Sequence, residues 1–237
     1  MAKQSGVLRV LYFTIVDIGR TDNGGGLVCR NHATRIAETP HVSLTICNVG
    51  PASQRNGCAV FARQIGADFR FLELDQGMRQ ANMRWPFPFE AEAAAQSRVH
   101  GDAARVVDQV GPDVVLVDYL FSALYAPAIY RRRDVRRITV TLNRESRFLR
   151  ELLAPNGSPH SSRKVARLWL YEQSIYARSD AVVATNAADV PPSPWLKRVV
   201  IAPMFDKSAS SWHGGNKSQP PGHRVALLQV RARACQA

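Results

Sequence analysis

Leu8–Val16 reads LRVLYFTIV, Asp22–Gly26 reads DNGGG, and Leu27–Glu38 reads LVCRNHATRIAE. The first segment is apolar almost without interruption, as a parallel strand buried on both faces requires. The glycines then supply a turn, and the third segment has the composition of a helix that must end before Pro40. Strand, glycine turn and helix in this order are the opening unit of a parallel α/β sheet.

The rest of the chain repeats the alternation. Strands are predicted at His41–Val49 (HVSLTICNV), Phe69–Leu74, Asp113–Asp118 (DVVLVD), Arg137–Leu142 (RITVTL), Ala181–Thr185 (AVVAT) and Arg198–Ile201 (RVVI). Helices are predicted at Cys58–Ile65, stopped by Gly66, at Glu90–Val110, stopped by Gly111-Pro112, at Leu120–Arg132 and at Arg163–Ala177. The expectation is an α/β, Rossmann-like, doubly wound and mainly parallel sheet with helices on both faces, in which ligands bind beyond the carboxyl ends of the strands. Residues 1–206 form that domain. Residues 207–237 are a basic tail containing Gly, Ser and Pro, expected to be disordered.

Composition narrows the function classes. The chain of 237 residues has no apolar run of 18 or more and no small-residue cleavage signal, so a cytoplasmic protein is expected. Cys29, Cys47, Cys58 and Cys235 form no C-x-x-C pair and no cluster with histidine, so neither metal nor cofactor is implied. The formal net charge is +12, and the tail from Lys207 onward contains basic residues and no acid. The body's densest cluster is Arg131–Arg137, which is either a solvated helix end or an attractor of anions. No aromatic residues interleave with it, so nucleic acid is not an expected partner. The loop Trp85–Phe89 (WPFPF) is either a contact surface or a segment tucked onto the core.

Gly24, Gly25 and Gly26 are the first candidate site, because glycines at a helix start let backbone N–H groups approach an anion. Neither G-x-G-x-x-G spacing nor a following Lys-Ser/Thr is present, which argues against dinucleotide and P-loop sites.

Five strings carry a family resemblance: Gly25–His32 (GGLVCRNH), Gly111–Asp118 (GPDVVLVD), Thr141–Glu145 (TLNRE), Tyr171–Asn186 with its SDAVVATN end, and Val199–Asp206 (VVIAPMFD). In order and spacing they resemble the N-terminal domain of family-4-type glycosyltransferases with the GT-B fold. The resemblance implies transfer of a sugar, with retention, from a nucleotide-sugar donor to a saccharide or lipid-linked acceptor. It implies polysaccharide biosynthesis and a peripheral position on the inner face of an anionic membrane, with the Arg131–Arg137 cluster and the Trp85–Phe89 loop as docking elements.

Under the same resemblance, Gly24, Gly25, Gly26 and Arg30 would face the donor phosphates. Asp118, Tyr119, Asn143, Arg144 and Glu145 would lie at the acceptor. Asp118 either accepts hydrogen bonds from an acceptor hydroxyl or caps the next helix, and Glu145 is likewise open to a capping role. Glu172 is expected to be structural and His32 to be a packed surface histidine. The family's histidines are replaced by Asp118 or Tyr119 and by Leu142, and no second domain follows. A truncated chain whose catalytic residues are unassigned is therefore expected. Its alternative is a non-catalytic anion- or partner-binding Rossmann-like module.

Overall fold

β1 (Leu8–Thr14) lies near the middle of a seven-stranded sheet, and its residues explain why. Leu11 and Phe13 point to one face of the sheet, while Val10 and Tyr12 point to the other, and all four are buried. The computed structural model describes residues 6–22, 24–74, 97–153, 159–185, 189 and 199–201. The Trp85–Phe89 loop, the expected helical residues before Ser97, the string after Ile201 and the tail 207–237 lie outside the described residues.

The further strands are β2 (Val42–Gly50), β3 (Asp68–Glu73), β4 (Val114–Asp118), β5 (Arg136–Thr141), β6 (Ala181–Ala184) and β7 (Val199–Ile201). Their order is β3-β2-β1-β4-β5-β6-β7, and every pairing is parallel. The helices are α1 (Gly24–Ala37), α2 (Arg55–Gln64), α3 (Ser97–Val110), α4 (Glu145–Leu153) and α5 (Pro159–Arg178). The core divides in two at the sheet. Val28, Ala33 and Ile36 of α1 and Phe61 of α2 cover one face; Val106 and Val107 of α3 and Ile175 and Tyr176 of α5 cover the other. The fold is α/β, Rossmann-like and doubly wound, as the strand pattern requires.

Strand boundaries agree with the sequence to within two residues, the largest difference being β1, which ends at Thr14 rather than Val16. α2 ends where Gly66 adopts φ +70, and Ala67 N–H closes onto the Ala62 carbonyl at 2.9 Å. The expected helix Leu120–Arg132 is different. It is two 3-10 segments, Leu120–Tyr125 and Ile129–Arg131. Pro127 lacks the N–H that a continuous helix would use, and Ala126 before it leaves the helical region at φ −137 and ψ 55.

Part of the basic cluster is consumed inside the fold. The Arg137 guanidinium clamps both oxygens of Asp180 at 3.1 Å and donates to the Tyr130 carbonyl at 3.2 Å. Arg132 pairs with Asp134 and Asp108. Arg131, Arg133 and Arg136 are exposed.

Candidate functional site at the β1–β4 switch

From β1 the strand order runs through β2 to β3 on one side and from β4 to β7 on the other. The chain therefore leaves β1 and β4 in opposite directions, and a crevice opens beyond their carboxyl ends. Thr14 and Asp118 stand opposite each other there.

Asp118 is fully buried at 0% exposure. Its Oδ2 lies 2.9 Å from His32 Nδ1 and also accepts the Tyr12 hydroxyl. That hydroxyl stands 3.1 Å from the Cys29 carbonyl as well. With a single hydrogen it serves one acceptor at a time. Asp118 Oδ1 and His32 Nε2 are buried and have no hydrogen-bond partner among the described residues. Burial opposes charge on His32, but the Asp118 carboxylate, through its charge and its hydrogen bond, holds the imidazole above its ordinary value. Burial and then Asp118 push the Tyr12 hydroxyl far up, so it remains a donor. Burial likewise pushes the Cys29 thiol up, which keeps it protonated.

His32 is therefore a buried residue rather than a surface one. Val28, Cys29, His32, Ala33 and Ile36 form the sheet-facing stripe of α1, at helical spacing. This spacing was the sequence signal that could have placed His32 against the strands. The Asp118 side chain does not cap: Tyr119 occupies the cap position of the following 3-10 segment, without a side-chain cap bond.

The glycines sit one turn earlier than expected. Gly24, Gly25 and Gly26 are the first turn of α1, which starts at Gly24 rather than at Leu27. Gly24 and Gly25 open the helix, where intrahelical acceptors are lacking, and no acidic side chain stands in this turn. Gly24 is exposed, Gly25 half-buried and Gly26 buried.

Arg30 serves the loop before α1. Its guanidinium donates to the Ile18 carbonyl at 2.9 Å and stacks 4.1 Å over the Phe61 ring. The same loop is held by Ser122 Oγ on Ile15 N–H at 3.1 Å and by Asn48 Nδ2 on the Val16 carbonyl at 2.6 Å. Gly19 also lies against Gly57 of α2, where a Cβ on Gly19 would come within 2.7 Å of the Gly57 backbone.

Tyr119 follows Asp118 with φ 71, a left-handed conformation that is costly for a bulky side chain. Its ring meets Phe121 edge-on at 5.1 Å. Burial, then the nearby Glu145 carboxylate, pushes its hydroxyl up. Asn143 is exposed, its carbonyl accepting the Thr141 hydroxyl, and Arg144 is half-buried.

Glu145 opens α4 at only 6% exposure, and its Oε1 has no hydrogen-bond partner among the described residues. Burial, followed by the nearby acids Glu172 and Asp189, raises its carboxyl to about 7. The capping role belongs to Glu172 of α5, whose Oε1 accepts the Ser146 N–H at 3.0 Å. Of the residues picked from sequence, Asp118, Tyr119 and Glu145 thus converge at adjacent strand ends. Arg30 is committed to the loop, and Asn143 faces solvent.

No family model and no curated protein matches the chain. Solved structures do. A UDP-glucosyltransferase from Polygonum tinctorium, in a complex with 3,4-dichloroaniline, superposes with a TM-score of 0.54 at 16% identity, over 92% of this chain and 56% of that one. A sucrose-phosphate synthase from Thermosynechococcus elongatus gives 0.53 at 11%, over 83% and 48%. Phytolacca americana UGT2, complexed with UDP-2-fluoro-glucose and pterostilbene, gives 0.51 at 12%, over 87% and 56%. The chain spans about half the length of these structures. What it shares with about half of each of them is the fold, a parallel α/β sheet of the Rossmann-like kind.

Proposed function

We propose that the chain is the acceptor-side half of a GT-B glycosyltransferase and binds the diphosphate of a nucleotide sugar at the first turn of α1. The observation that carries this reading lies on α1 at the β1–β4 switch: the helix opens on an acid-free glycine turn, and further along it His32 meets the buried Asp118 carboxylate. Backbone N–H groups of Gly24 and Gly25 would face the negative charge that develops on the departing diphosphate. Glu145 and Tyr119, at the neighbouring strand ends, would receive the hydroxyl of a saccharide or lipid-linked acceptor. Retention of configuration and family-4 membership rest on the sequence strings alone.

A second reading, a non-catalytic anion-binding module, is favoured by the full burial of Asp118. Both readings are tested by scanning fluorimetry with UDP, GDP and their glucose and mannose conjugates. Ligand at about a hundred times its dissociation constant adds roughly 2.7 kcal/mol of stability. The Gly24→Asp variant, which places an acid in the helix's first turn, should lose that shift. Absence of any shift at millimolar nucleotide would sink the donor site. A shift without transfer or hydrolysis would favour the binding module.

A further inference from the structure

We infer that the acceptor taken at the β5 end carries a primary ammonium group, received by Glu145 Oε1 with the Tyr176 hydroxyl as a second partner. The inference rests on the acceptor-side reading and names the chemistry of that acceptor. Glu145 stands just below the rim of the crevice: Asn143 is exposed, Arg144 half-buried and Glu145 buried at 6% exposure. Across from it on α5, Glu172 is 1% exposed and holds the Ser146 N–H at the opening of α4. Tyr176 follows Glu172 by four residues and so shares its side of α5.

Two oxygens of this cluster are buried and have no hydrogen-bond partner among the described residues, Glu145 Oε1 and the Tyr176 hydroxyl. Burial, then the Glu172 and Glu145 carboxylates, hold the Tyr176 hydroxyl above its ordinary value, so it stays protonated. The Thr141 hydroxyl at the end of β5 is turned to the Asn143 carbonyl. The charged groups that act on Glu145, Glu172 and then Asp189, are acids of its own sign. Arg144 acts on Glu172, and Arg147 is held by Glu151 at 2.8 Å.

Buried acceptors without donors, and a carboxylate set among acids, call for a partner that brings both hydrogens and positive charge. An ammonium brings three donors and one charge, whereas a neutral hydroxyl brings a single hydrogen. No group of three acidic, histidine or cysteine side chains among the described residues is arranged to hold a metal ion, so the cation that fits is organic. A carboxylate accepts at both oxygens, so an ammonium at Oε1 leaves Oε2 for the acceptor's hydroxyl.

The test titrates the full chain calorimetrically with glucosamine and with glucose, at pH 7 and at pH 5.5. Glucosamine should bind at least roughly tenfold more tightly than glucose at pH 7, the scale of one charge-assisted hydrogen bond. The preference should vanish at pH 5.5, where a carboxyl raised to about 7 is protonated. E145Q should lack the preference at both pH values, and Y176F should weaken glucosamine about fivefold. Circular dichroism checks that each variant is folded, and either variant alone suffices if the other is not. The inference is overturned if glucose binds as tightly as glucosamine, if neither sugar binds, if the folded variants keep the preference, or if magnesium or calcium binds through Glu145 more tightly than glucosamine. The thermal shift with UDP, measured on the same protein, separates the two readings. A nucleotide shift without a glucosamine preference removes the ammonium site and leaves the donor site standing. A glucosamine preference without a nucleotide shift supports the ammonium site and removes the donor site.

Discussion

His32 Nδ1 lies 2.9 Å from Asp118 Oδ2, joining the middle of α1 to the last residue of β4 across 86 positions of sequence. One buried contact thus ties the first helix to the strand on the other side of the switch. Asp118→Asn keeps the shape and removes the charge. It should cost about 2 kcal/mol in urea unfolding, because the buried imidazole loses its counter-charge. The His32 ring, followed by NMR, should titrate at lower pH than in the unsubstituted protein. An unchanged titration would mean that the pair does not exist in solution.

Glu145 gives stability a pH dependence of known sign. Its carboxyl is raised to about 7 in the fold, so between its ordinary value near 4.5 and 7 the folded state binds more protons than the unfolded one. Its contribution is therefore full at acid pH and is lost as pH rises to 7. The raised imidazole of His32 acts in the same direction: its contribution is present below the ordinary histidine value and is lost as pH passes through the folded one. The melting temperature should fall from pH 5 to pH 8. Glu145→Gln should flatten part of that fall and gain on the order of 2 kcal/mol at pH 8. A variant no more stable than the parent at pH 8 would contradict the assignment.

Two glycines in neighbouring positions should respond in opposite ways. Gly19→Ala drives a methyl group to within 2.7 Å of the Gly57 backbone and should cost 2 kcal/mol or more, on the order of an overpacked core site. Gly24→Ala meets nothing within 4 Å among the described residues and should leave stability unchanged or raise it by up to ~1 kcal/mol. Paired thermal melts of the two variants decide the matter.

Arg137→Lys is not a conservative change at this position. An ammonium cannot clamp both Asp180 oxygens and still reach the Tyr130 carbonyl. The variant should lose about 1–2 kcal/mol in chemical denaturation, whereas Arg133→Lys, at an exposed position, should be silent.

The strands were legible because residues such as Val115–Val117 are buried on both sides of a parallel sheet and leave an unbroken apolar signature. The segment after Asp118 was not. Its composition is helical, but a single proline at 127 divides it into two tighter turns. In the candidate site, Asp118, Tyr119 and Glu145 were picked on the family resemblance, and the structure places them at strand ends. Their chemistry was hidden, since burial and neighbouring charges come from residues distant in sequence: Tyr12 and His32 for Asp118, Glu172 for Glu145. His32 was misplaced because a single histidine in a polar-looking helix carries no sign of which side faces the sheet, until its spacing from Val28 and Ile36 is counted.

The loop between β1 and α1 has backbone seated on backbone at Gly19 and Gly57, with Asn48, Ser122 and Arg30 fastened to its carbonyl and amide groups. Such a loop gives up its conformational freedom during folding and has little left to lose when a ligand arrives. Encounter at the strand ends would then be a single event, with an observed rate rising linearly with ligand concentration and no slower phase following it.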